Sequence, residues 1–194
     1  LEMAENLAEQ GIHVSVVEGA SHVMPPIDMD MAHQVHNYIR SKGIRLYLGQ
    51  ICTAMDEDGV ILKNGDKVQA DMVILSIGVR PDTAFLKNSG IALGTRGEIL
   101  VNNYMETSQP DVYALGDAVS VRHVVSGEAV LIPLASPANK QGRIVGDNLC
   151  GRKRRYEGSQ GTSIMKFFDL TVAVTGEKEE ALQARGQSYQ KVIT

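Results

Sequence analysis

Apolar positions Leu1, Ala4, Leu7 and Ala8 recur at helical spacing, and Gly11 supplies a stop. The run from Ile12 to Val17 alternates and is rich in β-branched residues, so it predicts a strand ending at Glu18. Pro25-Pro26 excludes regular structure. Asp28 then offers a cap for a helix to about Lys42, with Met31, Val35, Tyr38 and Ile39 as its apolar stripe. A strand is expected over Ile44–Leu48. An antiparallel meander follows over Cys52–Gln69, turning at Asp58-Gly59 and Asn64-Gly65.

Met72–Leu75 is continuously apolar, the pattern of a central parallel strand. Asp82-Thr83 caps a short helix to about Asn88, and short strands occupy 91–104. Val112, Tyr113 and Leu115 predict a short buried strand after the Gln109-Pro110-Asp111 turn. Beyond an irregular stretch come a strand over Ala129–Ile132 and a helix over Ser136–Leu149, with Ala138, Gly142, Val145 and Leu149 on its buried stripe. Strands over Thr162–Phe168 and Leu170–Val174, a helix over Glu177–Ala184 and a strand over Tyr189–Ile193 complete an α/β pattern.

The 43% hydrophobic and 22% charged fractions are those of a globular chain, and the net charge of -4 disfavours nucleic acid as a partner. Arg152-Lys153-Arg154-Arg155 reads as a solvated connector. No apolar stretch approaches the roughly 18 residues of a membrane span. Cys52 and Cys150 form no CxxC pair and are expected to be reduced, buried thiols in a cytoplasmic protein. His33 and His36 lie three apart on a helix with Asp28 and Asp30 upstream. They are expected to form a polar helix face, with a metal site as the alternative.

Three places carry candidate chemistry. Helix, glycine turn, strand and Glu18 follow the order of the second half of a dinucleotide-binding βαβ unit, whose terminal acid bonds the adenosine ribose, the alternative being an acid that ends a strand by solvation. A glutamate there repels a 2′-phosphate and favours NADH over NADPH. In Ser76-Ile77-Gly78-Val79-Arg80-Pro81, Gly78 lets a nucleotide approach the backbone, the alternative being an ordinary turn. In Tyr113-Ala114-Leu115-Gly116-Asp117-Ala118, Gly116 admits close approach and Asp117 places a carboxylate at a strand's end, where a ligand hydroxyl would be its partner. A simple Gly-Asp turn is the alternative.

Taken in order, these pieces resemble the pyridine nucleotide-disulfide oxidoreductase family, in particular its coenzyme A-disulfide reductases, NADH oxidases and coenzyme A persulfide reductases. Ile132-Pro133-Leu134-Ala135-Ser136-Pro137-Ala138-Asn139 and Gly161-Thr162-Ser163-Ile164-Met165-Lys166 extend the resemblance. It implies an FAD/NAD(P)-binding three-layer ββα fold, in part, followed by the start of an α+β interface domain. Residues 1–104 then correspond to the NAD-binding domain without its first strand and glycine fingerprint. Residues 105–155 correspond to the returning FAD segment and 156–194 to the opening of the dimerisation domain.

The resemblance implies that Asp117 bonds the ribityl chain of FAD and that the helix start around Ala135 faces the flavin, where free N–H groups stabilise negative charge. It places Asn139 and Arg143 beside a coenzyme A channel, with a solvated arginine the preferred alternative for Arg143. NADH and FAD are the implied cofactors, a coenzyme A thiol derivative or oxygen the acceptor, and a homodimer the assembly. The chain is expected to be truncated at both ends, with the redox cysteine in a preceding segment, and inactive alone. A non-catalytic nucleotide-binding or partner-docking module is the competing expectation.

Overall fold

The computed structural model describes residues 1–193. In chain order its elements are α1 (Glu2–Glu9), β1 (Ser15–Glu18), α2 (Met29–Ser41), β2 (Arg45–Leu48), β3 (Cys52–Asp56), β4 (Gly59–Leu62), β5 (Lys67–Gln69), β6 (Ile99–Leu100), β7 (Val119–Arg122), β8 (Ala129–Leu131), α3 (Ala135–Leu149), β9 (Ser163–Phe167), β10 (Leu170–Val174) and α4 (Glu179–Ala184). They form two units. One comprises Leu1–Ser76, Ile164–Val174 and the chain from Lys178; the other comprises Ile77–Ser163 and Thr175–Glu177.

In the first unit β1 and β2 run parallel, Ser15 opposite Arg45 and Glu18 opposite Leu48, with α2 as the crossover. The buried face of α2 carries Ala32, Val35, His36 and Ile39. Met31, expected inside, is 53% exposed. The stripe is therefore rotated by one position, which brings His36 inward. Its Nε2 accepts the Val23 N–H at 3.2 Å, so this histidine is not on a solvated polar face. Phe167 on β9 is fully buried against this core, and its truncation to Ala is expected to cost about 3–5 kcal/mol.

The meander β3-β4-β5 forms as its turn residues require. Its first two-residue turn is Glu57-Asp58, however, because Gly59 already pairs with Asp56 at the head of β4. A Cβ on Gly59 would lie 2.1 Å from the Val68 carbonyl oxygen, which makes glycine obligatory there.

In the second unit β7 pairs in parallel with β6 and antiparallel with β8. The hairpin of β7 and β8 extends into the stretch expected to be irregular. Ile144 and Val145 of α3 pack with Met105, Val119, Val121 and Tyr156. The buried stripe of α3 is Pro137, Gln141, Ile144 and Val145, one position away from the expected one, and Leu149 faces outward.

Several expected elements are absent. Met72–Leu75 enters no ladder and is exposed; it has the composition of a central strand but no neighbouring strand among the described residues. Of 112–115 only Tyr113 makes a bridge, to Glu106, and Leu115 is exposed, so Gly116-Asp117 leads into β7 rather than ending a strand. The helix after Thr83 is a single 3-10 turn over Ala84–Leu86, and Thr83 Oγ1 donates to the Gly97 carbonyl instead of capping it. Residues 189–193 form no strand. Cys52 is half-buried, and Cys150, at the C-cap of α3 and off its packed stripe, is exposed.

Candidate functional site

The sharpest geometry lies where Gly116-Asp117 meets α3. Gly116 has φ +90°, and an added Cβ would meet nothing within 4 Å, so glycine answers a conformational need rather than crowding. Its N–H donates to Gln141 Oε1 at 2.7 Å. Gln141 is 1% exposed on α3. Asp117 is exposed, and among the described residues its carboxylate makes no hydrogen bond or ion pair. The turn thus has a fixed backbone and a carboxylate available to a ligand.

Helix α3 begins after Leu134, whose extended backbone brings no side-chain cap. Pro137 has no N–H to offer and suits the first turn. Ala135, the first helical residue, is exposed. Asn139 Nδ2 donates to the Ala135 carbonyl at 2.9 Å, which ties that amide to its own helix. Arg143 is exposed beside a cavity of about 370 Å³ bordered by Lys140, Arg154, Tyr156 and Glu157. Arg154 reaches Asp147 at 2.8 Å, and that hydrogen bond holds the Asp147 carboxyl below its usual range. The Tyr156 hydroxyl is sealed without a hydrogen-bond partner.

Glu18 lies in the other unit, at the carboxyl end of β1, half-buried, with Oε1 accepting the Ala20 N–H at 2.9 Å. Parallel strand ends are where open α/β sheets bind ligands. Gly78 has φ +93° on an exposed segment outside any ladder. The structure therefore joins Gly116 to the helix that bears Ala135, Asn139 and Arg143, while Gly78 and Glu18 stand apart from that bond.

A larger cavity of about 440 Å³ in the first unit is bordered by Asp28, Asp30, His33, Glu179, Gln183 and Lys191. Lys191 bonds Asp30 at 2.7 Å and Glu179 at 2.6 Å, which raises the ammonium pKa and lowers both carboxyls. Both carboxylates are engaged by the single Lys191 ammonium, and the described residues hold no group of three His, Cys, Asp or Glu able to bind a metal.

Gln141 is the residue that sequence reasoning missed. Its signal was available: Pro137, Gln141, Ile144 and Val145 keep helical spacing, with one amide among apolar neighbours. His123 was missed as well. It is buried, with Nδ1 3.1 Å from Glu177, which fixes the Thr175–Glu177 segment to the second unit.

A parallel βαβ unit whose first strand ends in an acid, and in the other unit a glycine-aspartate turn bonded to a helix, fit a nucleotide-binding α/β fold. The family model described as pyridine nucleotide-disulphide oxidoreductase matches residues 1–142, and the chain belongs to that family. The family uses FAD and NAD(P)H. The chain is 32% identical over 189 residues to the NAD(P)H sulfur oxidoreductase (CoA-dependent) of Pyrococcus furiosus, covering 96% of this chain and 43% of the relative.

Among solved structures, reduced Bacillus anthracis CoADR-RHD superposes with a TM-score of 0.94 at 45% identity, over 97% of this chain and 34% of that one. The water-forming NADH oxidase of Lactobacillus brevis bound to NADH superposes at 0.88 with 31% identity, over 96% of this chain and 42% of that one. The chain thus spans less than half the length of these proteins. Among the described residues no helix is long and apolar enough to cross a membrane.

Proposed function

We propose that this chain belongs to a flavoprotein that passes electrons from NADH through FAD to a coenzyme A disulfide, a coenzyme A persulfide or oxygen. The observation that carries this reading is the Gly116-Asp117 turn, bonded to α3 and presenting an unpartnered carboxylate. FAD, when bound, accepts hydride from NADH and hands two electrons to the acceptor.

The chain's own residues have narrower tasks. Asp117 accepts a hydrogen bond from a ribityl hydroxyl. Backbone N–H groups at Ala135 offset negative charge on the flavin. Glu18 accepts from the NADH ribose and repels a 2′-phosphate. Gly78 leaves room for nucleotide against backbone. Asn139 and Arg143 border the coenzyme A path, Arg143 as a partner for phosphate.

In this reading residues 1–104 serve NADH, 105–155 serve FAD and 156–194 belong to a dimerisation domain of a cytoplasmic homodimer. The sequence holds no G-x-G-x-x-G phosphate cradle, so these 194 residues alone are proposed to be inactive.

A partner-docking module without catalysis is a second reading. The exposed run from Met72 to Val79, with Ile77 at 90% exposure, favours it. Absorbance separates the two. Protein purified from the whole reading frame is expected to be yellow, with a flavin band that NADH bleaches. Colourless protein that takes up no added FAD would reject the electron-transfer reading.

A further inference from the structure

We infer that Gln141 faces the cofactor: its amide oxygen fixes the Gly116-Asp117 turn, and its amide NH₂ donates to an oxygen of the nucleotide seated there. The inference rests on the FAD site proposed above and adds to it a residue and a class of contact.

A glutamine side chain has one acceptor oxygen and a nitrogen carrying two donors. The Gly116 backbone group can only donate, so the atom 2.7 Å from it must be the oxygen. Nε2 is thereby committed to the other side of the same carboxamide, beside the same turn. Its two hydrogens find no partner among the described residues, although the side chain is 1% exposed. Buried polar groups are ordinarily satisfied, and an unsatisfied one calls for an explanation.

Nor is this nitrogen sealed in protein. The enclosed, unpaired side-chain polar atoms among the described residues are Gln50 Oε1 and Tyr156 Oη. Gln141 Nε2 is not among them, so it keeps a trace of contact with solvent within a side chain that is otherwise enclosed.

Packing alone does not call for an amide here. Pro137, Ile144 and Val145 share its stripe, and an apolar side chain of similar length would fill the place. An amide that holds a turn with one end and offers two donors with the other suits a ligand rich in oxygen acceptors, as the hydroxyls and phosphates of FAD are. Because the turn is tied before the ligand arrives, less ordering remains to be done on binding.

The test uses protein from the whole reading frame, stripped of flavin and titrated with FAD, with circular dichroism confirming the fold. Amide hydrogen exchange follows the Gly116 peptide. Gln141→Met keeps the shape and removes both polar ends. Faster exchange at Gly116 and FAD binding weaker by about tenfold are expected. Gln141→Glu keeps an oxygen opposite Gly116 and removes the donors. Protection at Gly116 should survive while FAD binding weakens by a similar factor, and this variant carries the test if the first does not fold.

A Gln141→Glu protein that binds FAD within about twofold of the parent overturns the inference and leaves the proposed function standing. A parent that takes up no FAD overturns both.

Discussion

The carboxylate of Asp28 accepts the backbone N–H of Glu179 at 2.9 Å, and its other oxygen accepts that of Glu180 at 3.2 Å. Asp28 stands at the N-cap position of α2, with extended backbone, yet gives that helix no side-chain bond. It caps α4 instead, from 151 residues away in sequence. Orphan N–H groups at a helix start need an acceptor, and α4 has none from its own N-cap, Lys178. Asp28→Ala is therefore expected to cost about 1 kcal/mol. Faster hydrogen exchange should concentrate in 179–184 rather than in α2. Loss of protection confined to residues 29–33 would assign the cap to α2 after all.

His36 should make stability depend on pH. Burial holds its imidazole below the ordinary pKa, and the nearby charges of Arg40, His33 and His22 push the same way. The unfolded imidazole takes up its proton near pH 6.5. Below that value the unfolded state binds more protons than the folded one, so stability is complete above about pH 6.5 and declines as the medium is acidified. Protonation also removes the lone pair that accepts the Val23 N–H. Melting of the parent should fall more between pH 7.5 and 5 than that of His36→Gln, which costs about 1 kcal/mol at pH 7.5. Equal pH slopes for the two proteins would exclude His36 as the source.

These two residues show how far local pattern reaches. The β1-α2-β2 unit, the meander and the reach of α3 follow from spacing and turn residues, because neighbours in sequence settle them. The place of Glu18 at a strand end was equally legible. What escaped depends on distant partners. Asp28 is a good local cap, and only packing reveals that α4 takes its carboxylate. The spacing of Gln141 with Pro137, Ile144 and Val145 marks it as inward-facing, but its partner Gly116 emerges only from packing. Met72–Leu75 has strand composition but meets no strand to pair with among the described residues, since a ladder requires two strands and composition speaks for one.

Glu18 bears on the choice of pyridine nucleotide. Its Oε1 is oriented by the Ala20 N–H, so the carboxylate is fixed rather than free to swing away. Under the proposed role, Glu18→Ala removes both a ribose acceptor and a repulsive charge. NADH binding should weaken and NADPH binding strengthen, shifting their affinity ratio by about tenfold or more toward NADPH. Fluorescence titration with each reduced nucleotide measures the ratio. A ratio equal to the parent's would remove Glu18 from the nucleotide site.

Gly116 separates backbone conformation from side-chain contact. At φ +90° an L-residue is strained even where space is open, and here a Cβ would meet nothing within 4 Å. Gly116→Ala should therefore act by forcing the turn to rearrange, at a cost of about 1–3 kcal/mol, rather than by collision. Rearrangement turns the Asp117 carboxylate away and releases the amide from Gln141, so FAD uptake should fall together with melting temperature. Gly146→Ala is the control. It lies within α3, also with no atom inside 4 Å, and helix propensity predicts a gain of roughly 0.5–1 kcal/mol. FAD uptake should be unaltered in that variant. If both substitutions merely shift melting and leave flavin binding alone, the Gly116 turn supports the fold without holding the cofactor. If Gly116→Ala alone loses flavin, the left-handed glycine sets where Asp117 points.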